Sequence, residues 1–484
     1  MRIDINKMKS CKTIEATQTF SILQPQFPFM KRKSLYILLI LFCCITSNAQ
    51  QNSKLISGPW AGNIELRTAS IWVEVGPQVK KVAVKYYPKN ANSIHSNAVL
   101  VRYKGELGKS FNPIKIELNG LEFGTTYNYD ILIDGKKVSL PFETKFTTKD
   151  LWQWRKPAPD FSFLTGSCAY FNESKYDRPG KPYGSDSSIF ETMTNTKSDF
   201  HIWLGDNWYT REVDYSSAWG LNYRASHDRA TPILQKFMAS MPQYAIWDDH
   251  DYGPNDAGSS YLLKDASREI FNNYWLNPTS GEDKKGNYSQ FNYGDVDFFL
   301  TDDRYFRSEP SIADTLDGLP NTEKSYFGKQ QMKWLENALL FSNAPFKIIV
   351  TGSQVLNPNN KYECMQEYPY EYNQLLHFLS DKKIKGVIFL TGDRHHSEII
   401  KYSRENLYPL YDITVSPYTS GVSKVNGAEL NNPFREPNTL IEAQNFAKIS
   451  FSGKKNERIM KVVFIGIKGE TLGEWSIDEK DVRN

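Results

Sequence analysis

Five apolar runs in this sequence each end in a short turn that carries side chains able to bind a metal ion. An apolar run of about five residues is typical of a buried strand, and in layered α/β proteins ligands bind just beyond the carboxyl ends of strands. The pattern therefore predicts a sheet-centred domain with Cys, Asp, Tyr, His and Arg side chains gathered at one edge. The five segments are 161–168, 200–209, 244–251, 298–304 and 387–396.

The central segment places Asp206 directly after a predicted strand, with Tyr209 three residues further on. A tight turn can aim both side-chain oxygens at one point. Carboxylate and phenol oxygens are hard donors, which suit a highly charged metal ion. Alone, the segment could equally be a surface turn in which Asp206 caps the next element. Four more segments of the same design favour a metal centre with a cation clamp.

The region at 52–148 predicts a small all-β sandwich of the immunoglobulin or fibronectin type, because its apolar residues alternate along several short segments. No cluster of acids, bases or metal ligands occurs there, which favours a scaffold role. A linker at 149–159 follows, rich in charge and ending in Pro157-Ala158-Pro159.

The region at 160–475 predicts an α/β catalytic domain, because strand patterns alternate with helical ones. Two polar stretches, at 171–186 and 252–290, are predicted to be long loops that form lids or walls. Helices are predicted at 187–193, 231–241 and 327–340.

The first 49 residues predict an export signal with an over-extended start, Met30 being the more plausible initiator. A basic segment, a short apolar core and a small-residue cleavage site follow one another at 31–33, 35–45 and 47–49. An N-terminal anchor, or a lipoprotein through Cys43 or Cys44, is the alternative. We expect a periplasmic or extracellular protein, exported by the general secretory route, with no transmembrane segment in the mature chain.

The net charge of +3 on 484 residues does not indicate a nucleic-acid or membrane-surface partner. We therefore expect no stable nucleic-acid partner and a monomer. Cys168 and Cys364 remain after removal of the signal and could form one disulfide in an exported protein. Cys168, however, lies at a strand end, where a thiolate can bind a metal, and we favour that interpretation.

Two further residues are predicted to be catalytic. His250 stands among three aspartates, which favours a functional role over that of a core histidine. Arg304 follows an apolar strand and two carboxylates, and a planar guanidinium suits bidentate binding of phosphate.

Taken together, the motifs resemble the alkaline phosphatase D (PhoD) family of calcineurin-like metallophosphoesterases, whose metal site is similar to that of purple acid phosphatases. The resemblance covers roughly residues 55–470 and implies a four-layer αββα catalytic domain behind a PhoD-type sandwich. The motifs that carry it are G-S-C at 166–168, G-D-N-W-Y at 205–209, W-D-D-H-D at 247–251, D-D-R-Y-F-R at 302–307 and G-D-R-H at 392–395.

The resemblance also implies a centre of Fe3+ and Ca2+ bridged by Asp206. Phenolate and thiolate donate strongly to Fe3+, whereas carboxylate and amide oxygens suit Ca2+. The implied iron ligands are Cys168, Asp206, Tyr209 and His395. The implied calcium ligands are Asp206, Asn255 and Asp393, with Asp249 a further candidate and Asp256 an alternative to Asn255. One of His395 and His396 is expected to face away from the site, because adjacent residues on an extended segment point to opposite sides.

The implied function is hydrolysis of a small phosphate ester or phosphodiester by attack of a metal-bound hydroxide, as in alkaline phosphatase D. One alternative is a phosphodiesterase that acts on teichoic acid, phospholipid or nucleic acid. Another is a non-catalytic cell-surface binding protein that keeps the fold. The intact set of predicted metal ligands favours an enzyme.

Overall fold

A computed structural model describes residues 54–89 and 98–483, so the predicted export signal lies outside the described residues. The chain begins with eight short strands in two antiparallel sheets, ordered β1-β2-β5 and β4-β3-β6-β7, with β8 paired to β6. The strands are β1 (Leu55–Gly62), β2 (Thr68–Val75), β3 (Val82–Pro88), β4 (Val99–Arg102), β5 (Pro113–Asn119), β6 (Thr126–Ile133), β7 (Lys136–Lys137) and β8 (Lys145–Thr147).

Alternation of side chains explains this sandwich. Along β6, Tyr127, Tyr129, Ile131 and Ile133 are buried while the residues between them are partly exposed. One face of the strand therefore packs into a core shared with the other sheet. The predicted all-β sandwich is confirmed.

The rest of the chain forms two six-stranded sheets, ordered β11-β10-β9-β20-β21-β22 and β12-β13-β16-β17-β19-β18, and a small β14-β15 hairpin. The strands are β9 (Phe161–Gly166), β10 (Phe200–Leu204), β11 (Gln243–Ile246), β12 (Ser289–Tyr293), β13 (Val296–Leu300), β14 (Thr315–Leu316), β15 (Leu319–Pro320), β16 (Phe346–Val350), β17 (Val387–Thr391), β18 (Glu398–Arg404), β19 (Leu407–Thr414), β20 (Asn445–Ser452), β21 (Ile459–Gly466) and β22 (Thr471–Asp478). The helices are α1 (Ile189–Asn195), α2 (Ala218–Arg229), α3 (Pro232–Ser240), α4 (Asp249–Tyr252), α5 (Lys264–Tyr274), α6 (Gly328–Phe341) and α7 (Pro369–Asp381).

The two sheets face each other across one core, and helices cover their outer faces. In β10, Phe200 packs edge-to-face against Phe298 of the opposite sheet, and Ile202 belongs to the same core. Its neighbour Trp203 points the other way and packs with Phe237 of α3. This period of two places buried side chains on both faces of each sheet, as expected of sheets that are covered on both sides. The result is four layers, helix-sheet-sheet-helix, and the predicted fold class is confirmed.

The helix predicted at 327–340 is found as α6, with Met332, Leu335 and Leu339 buried along one face. The prediction that 252–290 is a long loop is wrong in part, because this stretch contains α5. Ser267, Ile270, Phe271 and Tyr274 are the buried residues of α5, at helical spacing. The polar residues between them hid this pattern. Within the described ranges, no helix is long and apolar enough to cross a membrane.

The sandwich packs directly against the helices over the first six-stranded sheet. Trp60 and Trp72 stack with ring centroids 3.8 Å apart, and both belong to the core formed by the helices over the first six-stranded sheet. Trp72 also donates from Nε1 to the carbonyl oxygen of Asn273 at the end of α5, at 2.7 Å. The described residues form one compact unit.

Glu74 is a buried acid at this contact. Its Oε1 accepts hydrogen bonds from Ser226 Oγ at 2.8 Å and from Tyr274 OH at 2.9 Å, and its Oε2 accepts one from Ser57 Oγ at 3.3 Å. Burial raises the pKa of Glu74 to about 6, although the three hydrogen bonds oppose the shift. The uncharged form of Glu74 therefore persists to a higher pH in the folded protein than in the unfolded chain.

We predict that Glu74→Gln removes a pH-dependent loss of stability. A carboxyl whose pKa is raised on folding gives stability that is present below the unfolded pKa and is lost as the pH rises through the folded value. As the pH rises from about 3.5 to about 7, across both pKa values, the wild type should lose about 2 kcal/mol of unfolding free energy through this group. Urea unfolding at several pH values should show this loss in the wild type and in the exposed control Glu117→Gln, but not in Glu74→Gln.

Candidate metal centre

The ends of three strands bring Cys168, Asp206 and His395 together, and one ligand atom from each lies within 4.8 Å of the others. Cys168 and Asp206 are neighbours because β9 and β10 are parallel, with Trp203 opposite Gly166. His395 follows β17 of the other sheet.

Gly392 permits this approach of the two sheets. A Cβ added there would lie 2.6 Å from the carbonyl oxygen of Leu204. Any larger residue would therefore push the end of β17 away from the end of β10, and with it His395 away from Asp206.

Tyr209 completes the first donor set. Its hydroxyl donates to Asp206 Oδ2 at 2.9 Å and lies 3.3 Å from His395 Nε2. Cys168 Sγ is 3.5 Å from the same Asp206 oxygen. The structure thus gathers thiol, carboxylate, phenol and imidazole, the four ligands predicted for iron, around one point.

A second donor set shares Asp206. Ligand atoms of Asp206, Asp249 and His250 lie within 4.8 Å of one another, and the His250 amide donates to Asp206 Oδ1 at 3.3 Å. Asp206 Oδ2 lies by Tyr209 and Cys168 of the first set, whereas Oδ1 accepts the backbone hydrogen bond of His250, so Asp206 belongs to both sets. An imidazole belongs to this second set, although the sequence had suggested oxygen donors alone.

Asp393 lies in the same acidic cluster. Burial, together with the charges of Glu363 and Asp249, raises its pKa to about 7. Its carbonyl oxygen also lies 3.7 Å from Cys168 Sγ, a weak thiol hydrogen bond. The charge of Asp393 also raises the pKa of Asp206, so Asp393 contributes to the charge of the centre, and its role as a calcium ligand stays a prediction.

The structure separates the two candidates at 255 and 256. Both residues are exposed, and the role of Asn255 as a ligand stays a prediction. Asp256 donates its amide to Asp249 Oδ2 at 2.8 Å, and its carboxylate forms a third group with those of Asp249 and Glu363, within 4.8 Å.

The prediction that Arg304 binds phosphate is not supported by its contacts. Arg304 is fully buried, and its Nε donates to Asp248 at 2.5 Å. Its terminal nitrogens form a fork with Glu363 at 3.0 and 2.6 Å. Since carboxylates already occupy the guanidinium, Arg304 instead fixes Glu363 beside Asp249 and supplies buried positive charge.

Sequence reasoning missed Glu363 and Tyr183. Glu363 lies in the loop after β16, which also ends in a small-residue turn at 351–353. The small-residue turn could have indicated a sixth site segment, but Glu363 comes ten residues after it. Tyr183 lies within the 171–186 stretch, and its hydroxyl is 3.1 Å from His395 Nδ1. Tyr183 does not lie close in sequence to any of the strand-end motifs, so no local pattern indicated its role.

The adjacent histidines have separate environments. His396 is buried, with Nδ1 3.0 Å from the Arg394 carbonyl oxygen and Nε2 3.4 Å from Glu398. These contacts turn His396 away from the donor set that contains His395. Cys168 and Cys364 are both free and buried, so they form no disulfide.

Several donors adopt left-handed backbone conformations. The φ angles are 64° at Cys168, 52° at Asp206, 62° at Asp393 and 56° at His395. Such a conformation costs an ordinary residue roughly 1–2 kcal/mol. Gly205, with φ of 94°, has no room for a side chain, because a Cβ there would lie 2.5 Å from Asp248 Cβ. The tight turns are therefore set by the fold around them.

The donor set fits bound cations. Burial raises the pKa of Asp206, and the charges of Asp249, Asp251 and Asp393 raise it further. Burial lowers the pKa of His395 to about 4, which keeps the imidazole neutral with a free lone pair. Buried carboxylates this close repel one another, and a cation would remove that cost.

Comparison with known proteins agrees with this geometry. The sequence profile of the family described as "PhoD-like phosphatase" matches residues 163–451, more than half of the chain. Alkaline phosphatase D of Bacillus subtilis (strain 168) is 23% identical over 379 residues, which cover 68% of this chain and 62% of that protein. The chain thus spans less than two thirds of that relative.

Solved structures share the fold. The structure of PhoD superposes with a TM-score of 0.68 at 17% identity and covers 89% of this chain and 92% of its own. Purple acid phosphatase PPD1 from yellow lupin (Lupinus luteus) seeds gives a TM-score of 0.61 at 13% identity, covering 88% of this chain and 75% of its own. The resemblance inferred from five sequence motifs is confirmed: the chain belongs to the PhoD-like phosphatase family.

Proposed function

We propose that this protein is an exported, metal-dependent phosphoric ester hydrolase of the alkaline phosphatase D type. One observation carries the proposal: the buried carboxylate of Asp206 belongs to two donor groups at once, at the end of β10. A carboxylate that bridges two cations is the usual core of a two-metal phosphoesterase site. Membership of the PhoD-like phosphatase family supports the same reaction class.

The two donor groups support different ions. Cys168, Tyr209 and His395 offer a thiolate, a phenolate and an imidazole, which suit Fe3+. Asp206 and Asp249 offer carboxylates for Ca2+, with Asp393 and Asn255 as further oxygen donors. Bound cations would acidify water and neutralise charge that develops on the phosphoryl oxygens.

His250 is proposed to act on the substrate. Its ring lies 4.1 Å from that of Tyr209, and its side chain is 22% exposed, so it reaches from the donor groups towards the surface. Nδ1 has no hydrogen-bond partner among the described residues. Burial lowers the pKa of His250, so the neutral ring can donate an N–H to a phosphoryl or leaving oxygen.

Arg304 is proposed to position acidic side chains beside the donor groups. Its ion pairs with Asp248 and Glu363, together with the pair between Arg307 and Glu363 at 2.9 Å, fix the two segments that carry these carboxylates. The arrangement limits the movement of Asp249, which follows Asp248 directly. This is a positioning role in place of the phosphate contact inferred from sequence.

The N-terminal segment supports export, and N-terminal sequencing of the secreted protein should read from Gln50. The substrate is proposed to be a small phosphate ester or diester, and the protein a monomer without a stable nucleic-acid partner. The deciding experiment measures turnover of p-nitrophenyl phosphate and of its bis ester by protein purified without chelator, with metal analysis of the same sample. Turnover of neither ester by metal-loaded protein would favour the non-catalytic alternative.

We predict that Tyr209→Phe removes a visible absorption band. A phenolate bound to Fe3+ gives ligand-to-metal charge transfer, which a phenyl ring cannot. The wild type should be coloured and the variant colourless or shifted, with the fold kept. Tyr176→Phe, a substitution outside the donor groups, is the control. A colourless, fully active wild type that contains only zinc would refute the iron assignment.

A further inference from the structure

Tyr183 reaches the metal centre from the 171–186 loop and contacts a proposed metal ligand. Its hydroxyl oxygen lies 3.1 Å from His395 Nδ1. The other ring nitrogen, Nε2, lies 3.3 Å from Tyr209 OH and 3.5 Å from Ser420 Oγ. One nitrogen of His395 therefore faces the donor groups, and the other faces Tyr183.

Hydrogen bonds hold the loop in place at the two residues that follow Tyr183. The next residue, Gly184, donates its amide to Asn172 Oδ1 at 3.0 Å and accepts from Asn172 Nδ2 at 2.7 Å. Ser185 donates its amide to the Thr419 carbonyl oxygen at 2.6 Å. One partner, Asn172, lies in the same loop, and the other, Thr419, lies in a distant part of the chain. The position of Tyr183 is therefore set by the fold.

The ring of Tyr183 also packs against neighbouring residues. It packs edge-to-face against Tyr170 with centroids 4.9 Å apart and lies beside Gly421, where an added Cβ would be 3.3 Å from the ring. The residue is 44% exposed. Loss of its hydroxyl therefore costs little packing, and an effect at the metal centre can be separated from unfolding.

A histidine that binds a metal through one nitrogen is usually oriented by a hydrogen bond from the other, which also fixes the tautomer. We propose that Tyr183 is a positioning residue for His395. Its hydroxyl oxygen accepts the Nδ1–H, so that Nε2 carries no proton and points to Asp206 and Tyr209. The inference rests on the proposed function, since it concerns a ligand of the proposed metal.

The first test compares Tyr183→Phe with Tyr176→Phe. Both remove a hydroxyl from the same loop, but Tyr176 contacts the Tyr223 ring rather than His395. Fe3+ is added to metal-free protein, and its affinity is measured by competition with a chelator. Tyr183→Phe should bind Fe3+ about 10–100-fold more weakly with a shifted visible band, while Tyr176→Phe matches the wild type. Equal affinity and an unchanged band would overturn the inference.

The second test needs no metal. Crystal structures of metal-free wild type and Tyr183→Phe should show one orientation of the His395 ring in the first and a rotated or mixed orientation in the second. The same single orientation in both would refute the role of Tyr183, whatever the metal content. Failure of the wild type to bind Fe3+ would instead contradict the proposed iron site, and the ring orientations would still decide the role of Tyr183.

Discussion

Asp206→Ala should abolish turnover and empty both proposed metal sites. Asp206 supplies a carboxylate to both donor groups, so its loss removes the only donor that the two sets have in common. Metal catalysis contributes several kcal/mol, and each 1.36 kcal/mol is tenfold in rate, so kcat/KM should fall by about 1,000-fold or more. The measurements are turnover of p-nitrophenyl phosphate and metal content per chain.

Asp381→Ala is the matched control, because Asp381 is an exposed carboxylate at the end of α7. It should leave both quantities unchanged. Asp206→Asn adds a second comparison, since an amide keeps an oxygen to accept the Tyr209 hydrogen bond but lacks the charge. Two bound metals per chain in Asp206→Ala would show that the bridge lies on another residue.

Trp72→Ala should lower the free energy of unfolding by about 3–5 kcal/mol. Trp72 is fully buried, stacks on Trp60 and packs against Tyr274 with ring centroids 5.6 Å apart. Removal of this side chain leaves a cavity between the sandwich and α5, and it leaves the Asn273 carbonyl without its donor. Urea unfolding, followed by fluorescence and circular dichroism, measures the change.

Trp154→Ala is the comparison, because Trp154 is 98% exposed and should change stability by less than about 0.5 kcal/mol. We expect Trp72→Ala to keep a single unfolding transition, since Trp72 belongs to the core of the catalytic layers. Two separate transitions would mean that the sandwich and the catalytic region unfold independently, as a domain boundary between 148 and 160 implies.

The parts of the centre that sequence predicted are those that sit immediately after strands. Cys168, Asp206 and His395 each follow a strand by two to four residues, so parallel pairing and the meeting of two sheets suffice to bring them together. Short-range pattern also found α6, because its apolar spacing is regular. Local sequence predicts these donors because the direction of a strand determines at which edge of the sheet its carboxyl end lies.

The parts that sequence did not predict depend on long loops or on partners far apart in the chain. Tyr183 is 212 residues from His395, and the loop that delivers it has no regular period. Arg304 carries the right chemistry for phosphate, but Glu363, 59 residues away, occupies its guanidinium. Whether an arginine is free to bind phosphate or is already paired with a carboxylate can be seen only in the folded structure.

The left-handed turns at the four donor residues mean that the geometry of the centre exists before any ion arrives. The rest of the protein meets their conformational cost during folding, so ion binding need not reorganise the backbone. A preorganised cage discriminates by size and charge, because a misfitting ion cannot pull the ligands into a new arrangement. We therefore expect the selectivity of the proposed centre to be a property of the folded scaffold.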